Sequence, residues 1–477
     1  MIFLKTIFIF LLLSFGFNSK AQNASFDSTY LTVFDFINIV KLHHPIASQA
    51  KLIYSSGQAA LLSSRGGFDP ILYGEYEKKQ FNDKGYWQKL DAGIKIPTWY
   101  GLEGKLSYEY NEGERSPDGS FIYMDNERVR LASGLAFAGF TFTPSAGLWM
   151  DERRATLLKA KQFLIQSNFD QALALNDLYF DALGDYFDWA EKNMQYIAID
   201  SLYNASNLRF KNSINLAKLG DIPFNDTLDA FAQFAFFSAM RADFLGELVK
   251  ATFKLSNHLW LNGNPIRLDM KVRPPDMISN LFSLDSMLSQ EQFFISNHPK
   301  ILAIYAKIES QKIDLSLNRN KLLPKIDLTA GTYLSNIGNN PLLATGLNAN
   351  HKLGVDFKMP LMMREQRGQL ELNRIKLETI SLEQKQTALE IANKSKGLRQ
   401  AILLNQEQVD FFQKATNAYK QLVINERYLF TLGETDFFKI NLREQKLIES
   451  ELKLIKAKVN QLKLESEFAK NLGLLVF

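Results

Sequence analysis

The sequence predicts a chain of membrane β-barrel strands and long helical hairpins, arranged as two structural repeats. Three observations lead there. A secretory leader is followed by no membrane-spanning helix, a set of His-Pro and Pro markers recurs once, and two proline-free helical stretches are far longer than a globular domain uses.

The leader is MIFLKTIFIFLLLSFGFNSKAQ, with Lys5, an apolar run from Ile7 to Phe17, and small residues at Ser19 and Ala21. This is the pattern of a signal peptide over 1–21 with cleavage expected after Ala21. The apolar run is shorter than the roughly 20 residues a spanning helix needs. The chain has no cysteine. A lipid-anchored N-terminus is therefore not expected, and stability has to come from packing or oligomerisation although the leader sends the chain where disulfides are allowed. No later apolar stretch approaches spanning length, so any passage through lipid falls to β-strands.

Hydrophobic residues are 46% and charged residues 22%, which excludes a disordered or collagen-like chain. The net charge of +4 is spread over interleaved acids and bases with no basic tract, so nucleic acid is not an expected partner.

The repeat orders the rest. His44-Pro45 precedes Pro70, and His298-Pro299 precedes Pro324; both intervals are 25 residues, 70 less 45 and 324 less 299. The copies are offset by 254, 299 less 45, and at that offset Leu61 matches Leu315 and Arg65 matches Arg319. A helix is expected between each pair of prolines. Strands are expected next. ILYGEYEKKQ, YWQKLDAGIKI, GLEGKLSYEY and VRLASGLAFAGFTFT follow Pro70, while KIDLTAGTYLSN and HKLGVDFKM follow Pro324. Their partial alternation, aromatics and Gly/Asn/Asp turns suit membrane-barrel strands of about 9 to 11 residues, and equally a soluble hairpin for any one segment.

Long helices come third. From Leu361 to the end there is no proline, and Leu370, Leu377, Leu398, Ile402, Phe412, Ala415, Tyr419 and Leu422 recur at helical spacing. The 69 residues from Arg364 to Leu432 would span about 104 Å. A matching stretch runs from about 150 to 219. Gly220-Asp221-Ile222-Pro223 and Gly433-Glu434-Thr435-Asp436 turn the chain back into return helices, glycine supplying a positive φ and Asp or Thr a cap. Imperfect heptads favour bundled hairpins over an isolated rod. Residues 262–283 read as a Pro/Asn-rich connector. The first repeat thus covers 22–261, with strands at about 70–143 and a hairpin at about 147–260. The second covers 284–477, with strands at about 324–360 and a hairpin at about 362–472.

In order and spacing these features resemble the TolC family of outer-membrane efflux proteins. The likeness is carried by His44-Pro45 through Phe68-Asp69-Pro70, by Asn297-His298-Pro299 through Leu322-Leu323-Pro324, and by the strand-to-helix joins Pro144 through Asp151–Ala155 and Met359-Pro360-Leu361 through Leu370. Leu432-Gly433-Glu434-Thr435-Asp436-Phe437-Phe438 through Asn441–Glu444 resembles the family's hairpin tip. The resemblance implies a membrane β-barrel plus a long α-helical barrel, a homotrimer whose strands close one barrel. It also implies outer-membrane lipid around the strands, a periplasmic adaptor at the helical tips, an inner-membrane pump reached indirectly, and no cofactor. One departure stands out: four strand segments precede Pro144 where the family has two, leaving the strand count of the barrel open.

The resemblance puts the entrance and adaptor contact at Leu219, Gly220, Asp221, Asp226, Asp229, Leu432, Gly433, Glu434, Asp436 and Lys439. Acidic groups repeated about an axis would favour cations. For each residue taken alone, helix capping and solvated surface are the readier explanation. Family members often carry paired aspartates six and nine residues past the second glycine; here those positions hold Lys439 and Leu442, and the same offsets in the first repeat hold Asp226 and Asp229. No metal is expected at His43, His44, His258, His298 or His351, which lack ligand spacing beyond one adjacent pair, and Met359, Met362 and Met363 suit junction packing better than a soft metal. No nucleophile–base pair, phosphate loop or dinucleotide fingerprint occurs, so catalysis is not expected. The leading expectation is a passive duct for efflux or type I secretion; the alternative is a periplasmic coiled-coil scaffold that forms no pore, against which the aromatic-flanked strand segments argue.

Overall fold

The computed structural model describes residues 30–81, 84–114, 130–144, 150–220, 222–275, 283–334 and 351–475. The leader and Asp221 lie outside the described residues.

In the first repeat, helices α1 (Val33–His43) and α2 (Pro45–Arg65) and a single 3₁₀ turn (Gly66–Phe68) lead into four strands. These are β1 (Ile71–Phe81), β2 (Lys84–Pro97), β3 (Leu102–Glu114) and β4 (Arg130–Phe142). Helices α3 (Glu152–Leu219) and α4 (Phe224–Ser256) follow, with 68 and 33 residues. Between the repeats, β5 (Trp260–Leu261) and β6 (Asn264–Pro265) form a small hairpin. The second repeat has short helices α5 (Leu284–Ser289) and α6 (Glu291–Ser296), then α7 (Pro299–Asn320), then β7 (Lys325–Leu334) and β8 (His351–Lys358). It ends in α8 (Arg364–Thr431) and α9 (Phe437–Asn471), of 68 and 35 residues.

The repeat is legible in the backbone. Pro45 opens α2 and Pro299 opens α7, where a missing N–H costs nothing because the first helical donors have no intrahelical acceptor. Pro70 and Pro324 immediately precede β1 and β7, whose first residues, Ile71 and Lys325, are again 254 apart. His298 accepts a hydrogen bond at Nδ1 from the Lys300 backbone N–H at 3.1 Å, capping α7.

The chain forms two compact units. One holds the six-stranded sheet together with α2, α5, α6 and α7 and adjoining parts of α3, α8 and α9. Within it α2 lies so close to α3 that a Cβ at Gly57 would stand 2.8 Å from the Ser167 hydroxyl. Along α8 one narrow stripe is buried: Thr387, Ile391, Ser395, Leu398, Ile402 and Asn405, at steps of three or four. Within that stripe the Ser395 hydroxyl donates to Glu291 at 2.6 Å.

The other unit contains α1, the connector, α4 and the helical tips. Its core is aromatic. Phe36 stacks on Tyr186 with ring centroids 5.4 Å apart, and the Tyr186 hydroxyl donates to the Leu31 carbonyl at 2.7 Å. The connector is built into this core: Leu31 N–H donates to the Arg273 carbonyl at 3.0 Å, Leu268 N–H donates to the Ser256 hydroxyl at 3.2 Å, and Leu268 and Val272 are buried.

Candidate functional site

The sheet runs β1-β2-β3-β4-β7-β8, and every neighbouring pair is antiparallel. Because successive side chains point to opposite faces, the register sorts them into two sets. One set is Leu72 and Tyr76 on β1, Ile94 and Ile96 on β2, Leu106 and Tyr108 on β3, Phe140 on β4, Leu328 on β7, and Leu353, Val355 and Phe357 on β8. All of them are exposed. An exposed apolar face that reaches from one edge strand to the other is foreign to a water-soluble sheet, which buries that face.

The opposite set is charged and paired across strands. Asp91 on β2 accepts from Lys105 on β3 at 3.0 Å and from the Tyr73 hydroxyl on β1 at 2.9 Å. Glu109 on β3 is 3.9 Å from Lys352 of β8 and accepts from the Tyr333 hydroxyl of β7 at 3.3 Å. In their midst Phe137 is 3% exposed: its ring rests against Gly139 and Gly331, where any Cβ would collide with it, and Lys105 and Lys352 reach over it. Glycine is required at both positions by that close approach. Neither Phe137 nor the charge ladder is singled out by the sequence reading, although strand alternation carried the signal.

At the strand-to-helix join, Asp151 caps α3 by accepting the Arg154 N–H at 2.7 Å, and Arg153 pairs with Glu103 of β3 at 3.0 Å. Leu361 and Met362 are exposed beside Met363, whose φ is +48°. Among the described residues no group of three His, Asp or Glu side chains is placed to hold a metal ion.

Both tips turn on glycine. Gly220 has φ +82° and Gly433 φ +74°. Glu434 N–H closes the second turn onto the Leu429 carbonyl at 3.0 Å, and the Phe430 and Phe437 rings, 4.5 Å apart, staple α8 to α9. Asp436 caps α9, accepting from the Lys439 N–H at 2.9 Å. Leu219, Leu432, Asp229, Glu434 and Lys439 are exposed and Asp226 is half-buried. Among the described residues no lysine or arginine pairs with Asp226, Asp229 or Glu434. Phe224 and Phe438 also stand exposed at the tips.

Behind the tips lies a charge cluster that sequence reading missed. Glu444 of α9, 1% exposed, accepts from Arg209 of α3 at 2.6 Å and from Arg427 of α8 at 2.6 Å, while Arg209 also donates to Asn441 at 2.9 Å. Ala232, Gln233, Phe236 and Phe237 of α4 face Phe438 and Leu442 of α9 across an open groove.

Three of the histidines pack against named partners. His44 stacks on His258 with centroids 5.6 Å apart, and burial, helped by His258, pulls its pKa below the ordinary value. His258 Nε2 lies 3.0 Å from Asp185. Burial alone would raise Asp185, but bonds from His258 and Lys254 outweigh it and hold the carboxyl below its usual range. Burial, with Lys300 nearby, brings His298 down to about 4.

A six-stranded amphipathic sheet in one chain with two long helical hairpins defines a fold class, that of TolC-type outer-membrane channels. Three solved structures have it in common with this chain: the outer-membrane channel OprN (13% identity, 94% of this chain and 93% of that one, TM-score 0.65), the CmeC outer membrane channel of Campylobacter jejuni (12%, 92% and 85%, 0.62) and the outer membrane protein VceC of Vibrio cholerae (12%, 92% and 96%, 0.64). At such identities the likeness is one of fold. No protein-family model matches the chain. No curated protein matches it either.

Proposed function

We propose that this protein is a passive outer-membrane channel whose helices extend the duct into the periplasm, and that it serves efflux or type I secretion without catalysing a reaction. The observation that carries the reading is the exposed apolar face of the sheet opposite a charged, paired face: lipid outside and water inside satisfy both. The names of OprN and CmeC as outer-membrane channels support it. The channel is a homotrimer, because six strands cannot enclose a roomy lumen and open edges are not tolerated in lipid.

Export energy comes from an inner-membrane pump, coupled through a periplasmic adaptor. The entrance and adaptor contact comprise Leu219, Gly220, Asp221, Asp226, Asp229, Leu432, Gly433, Glu434, Asp436 and Lys439. In support, both tips combine an exposed leucine with a glycine turn, as a surface presented to a partner would.

The test is purification from outer membranes followed by planar-bilayer recording. A heat-sensitive trimer that conducts ions is expected. A folded monomer released with the periplasmic fraction and unable to conduct would favour the scaffold reading instead.

A further inference from the structure

Among the described residues the edges of the sheet are β1 and β8, and neither has a neighbour on its outer side. Both carry apolar face residues to the very edge, Leu72 and Tyr76 on β1 and Leu353, Val355 and Phe357 on β8. If that face meets lipid, the free N–H and C=O groups of these edges lie at lipid depth too. Left unpaired in lipid, each is strongly unfavourable. Neither strand contains the proline with which soluble edges are often blunted.

Parity says which partner fits. Five successive antiparallel pairings make β8 run opposite to β1. An even count therefore lets β8 of one copy meet β1 of the next antiparallel, continuing the pattern without a break. We propose that β8 of each copy pairs with β1 of its neighbour, so that three copies of a six-stranded sheet close an eighteen-stranded barrel. The number of copies rests on the trimer reading above; the seam does not.

The consequence is width. At a strand spacing of about 4.8 Å and a tilt of about 40°, eighteen strands give a backbone diameter of about 36 Å, against about 24 Å for twelve. The extra hairpin therefore lies in the wall of the barrel, as the continuous register from β1 through β2 to β3 requires. It widens the outer mouth.

The chain has no cysteine, so introduced thiols are unambiguous. Val355→Cys is combined in turn with Leu72→Cys, Gly74→Cys and Tyr76→Cys, all on the apolar face, in full-length protein assembled in outer membranes. A disulfide ladder ending at three copies is expected for at least one pair. Crosslinking of Val355→Cys to Tyr108→Cys on β3 instead would mean that β8 closes past the β1–β2 hairpin, giving twelve strands; this overturns the inference and leaves the trimer standing. A ladder that ends at two copies overturns the trimer reading and the count of eighteen with it. No intermolecular crosslink at any β1 position overturns the seam itself.

Discussion

Arg209 of α3 and Glu444 of α9 meet at 2.6 Å, joining the first repeat to the second through a carboxylate that is almost wholly buried. Arg427 shares the same carboxylate oxygen. Removing the acid from such a cluster leaves cations beside a site built for charge. We expect Glu444→Ala to cost about 3 kcal/mol, whereas Lys312→Ala, which breaks an exposed pair with Glu309, should cost less than about 0.5 kcal/mol. Thermal unfolding in detergent, followed by circular dichroism, compares the two.

Gly433 and Gly220 hold positive φ in open surroundings: a Cβ added at either would have no neighbouring atom within 4 Å, so a side chain there meets strain and no clash. Gly433→Val should therefore cost about 1–2 kcal/mol and Gly433→Asn much less, because Asn tolerates the left-handed region. Equal melting temperatures for the two variants would contradict this.

His298 makes stability depend on pH. Its pKa, about 4, lies below the ordinary 6.5, so the unfolded chain takes up the proton first and stability falls as pH drops from 6.5 towards 4. Above pH 6.5 the contribution is complete, at about 3 kcal/mol. His298→Asn keeps an acceptor for the Lys300 N–H but does not titrate, so its stability curve should be flatter across that window. Denaturant titrations at pH 7 and pH 4.5 measure the difference.

Strand starts were more legible in the sequence than strand ends. The expected segments from Ile71 and His351 begin where β1 and β8 begin, after Pro70 and Asn350, which break the alternation, whereas β3 runs on to Glu114, past the expected end at Tyr110. The tips were legible for the same local reason, as was the break between α1 and α2 at His44-Pro45. What escaped depends on distance along the chain. Glu444 finds Arg209 235 residues away, and no local pattern marks that pairing. The connector looked like a linker because its prolines and asparagines describe backbone habit, while the bond from Leu31 to Arg273 arises only once both are folded. Asp436 is a helix cap in the structure, a role that competes with the charged entrance inferred from its position.

The two faces of β8 should respond oppositely to charge. Val355→Arg, on the apolar face, is expected to cost about 2–4 kcal/mol in a lipid setting and to lower the yield of assembled protein. Asp356→Ala, one residue on and on the charged face, should assemble normally. Outer-membrane yields measured by heat-modifiable gel migration separate them.

Under the proposed channel role, Asp226→Asn combined with Asp229→Asn should weaken cation preference and Lys439→Ala should strengthen it, because like charges gathered around an opening attract counter-ions. Reversal potentials in a salt gradient read this out. No change in the double Asp variant would reduce both aspartates to ordinary helix-start residues.

Asn176 on α3 donates to the Lys470 carbonyl and accepts from the Leu475 N–H, partners 294 and 299 residues further along, while Tyr186, ten residues beyond it, reaches back to Leu31. A chain delivered N-terminus first therefore completes this helix long before its last partner has emerged. Until then the amide of Asn176 can be satisfied only by water, and the surface around it is unfinished. Such distant closure is slow to find. Closing this helix thus waits on partners some three hundred residues further along, and the stretch from Lys470 to Leu475 weighs on folding out of proportion to its length.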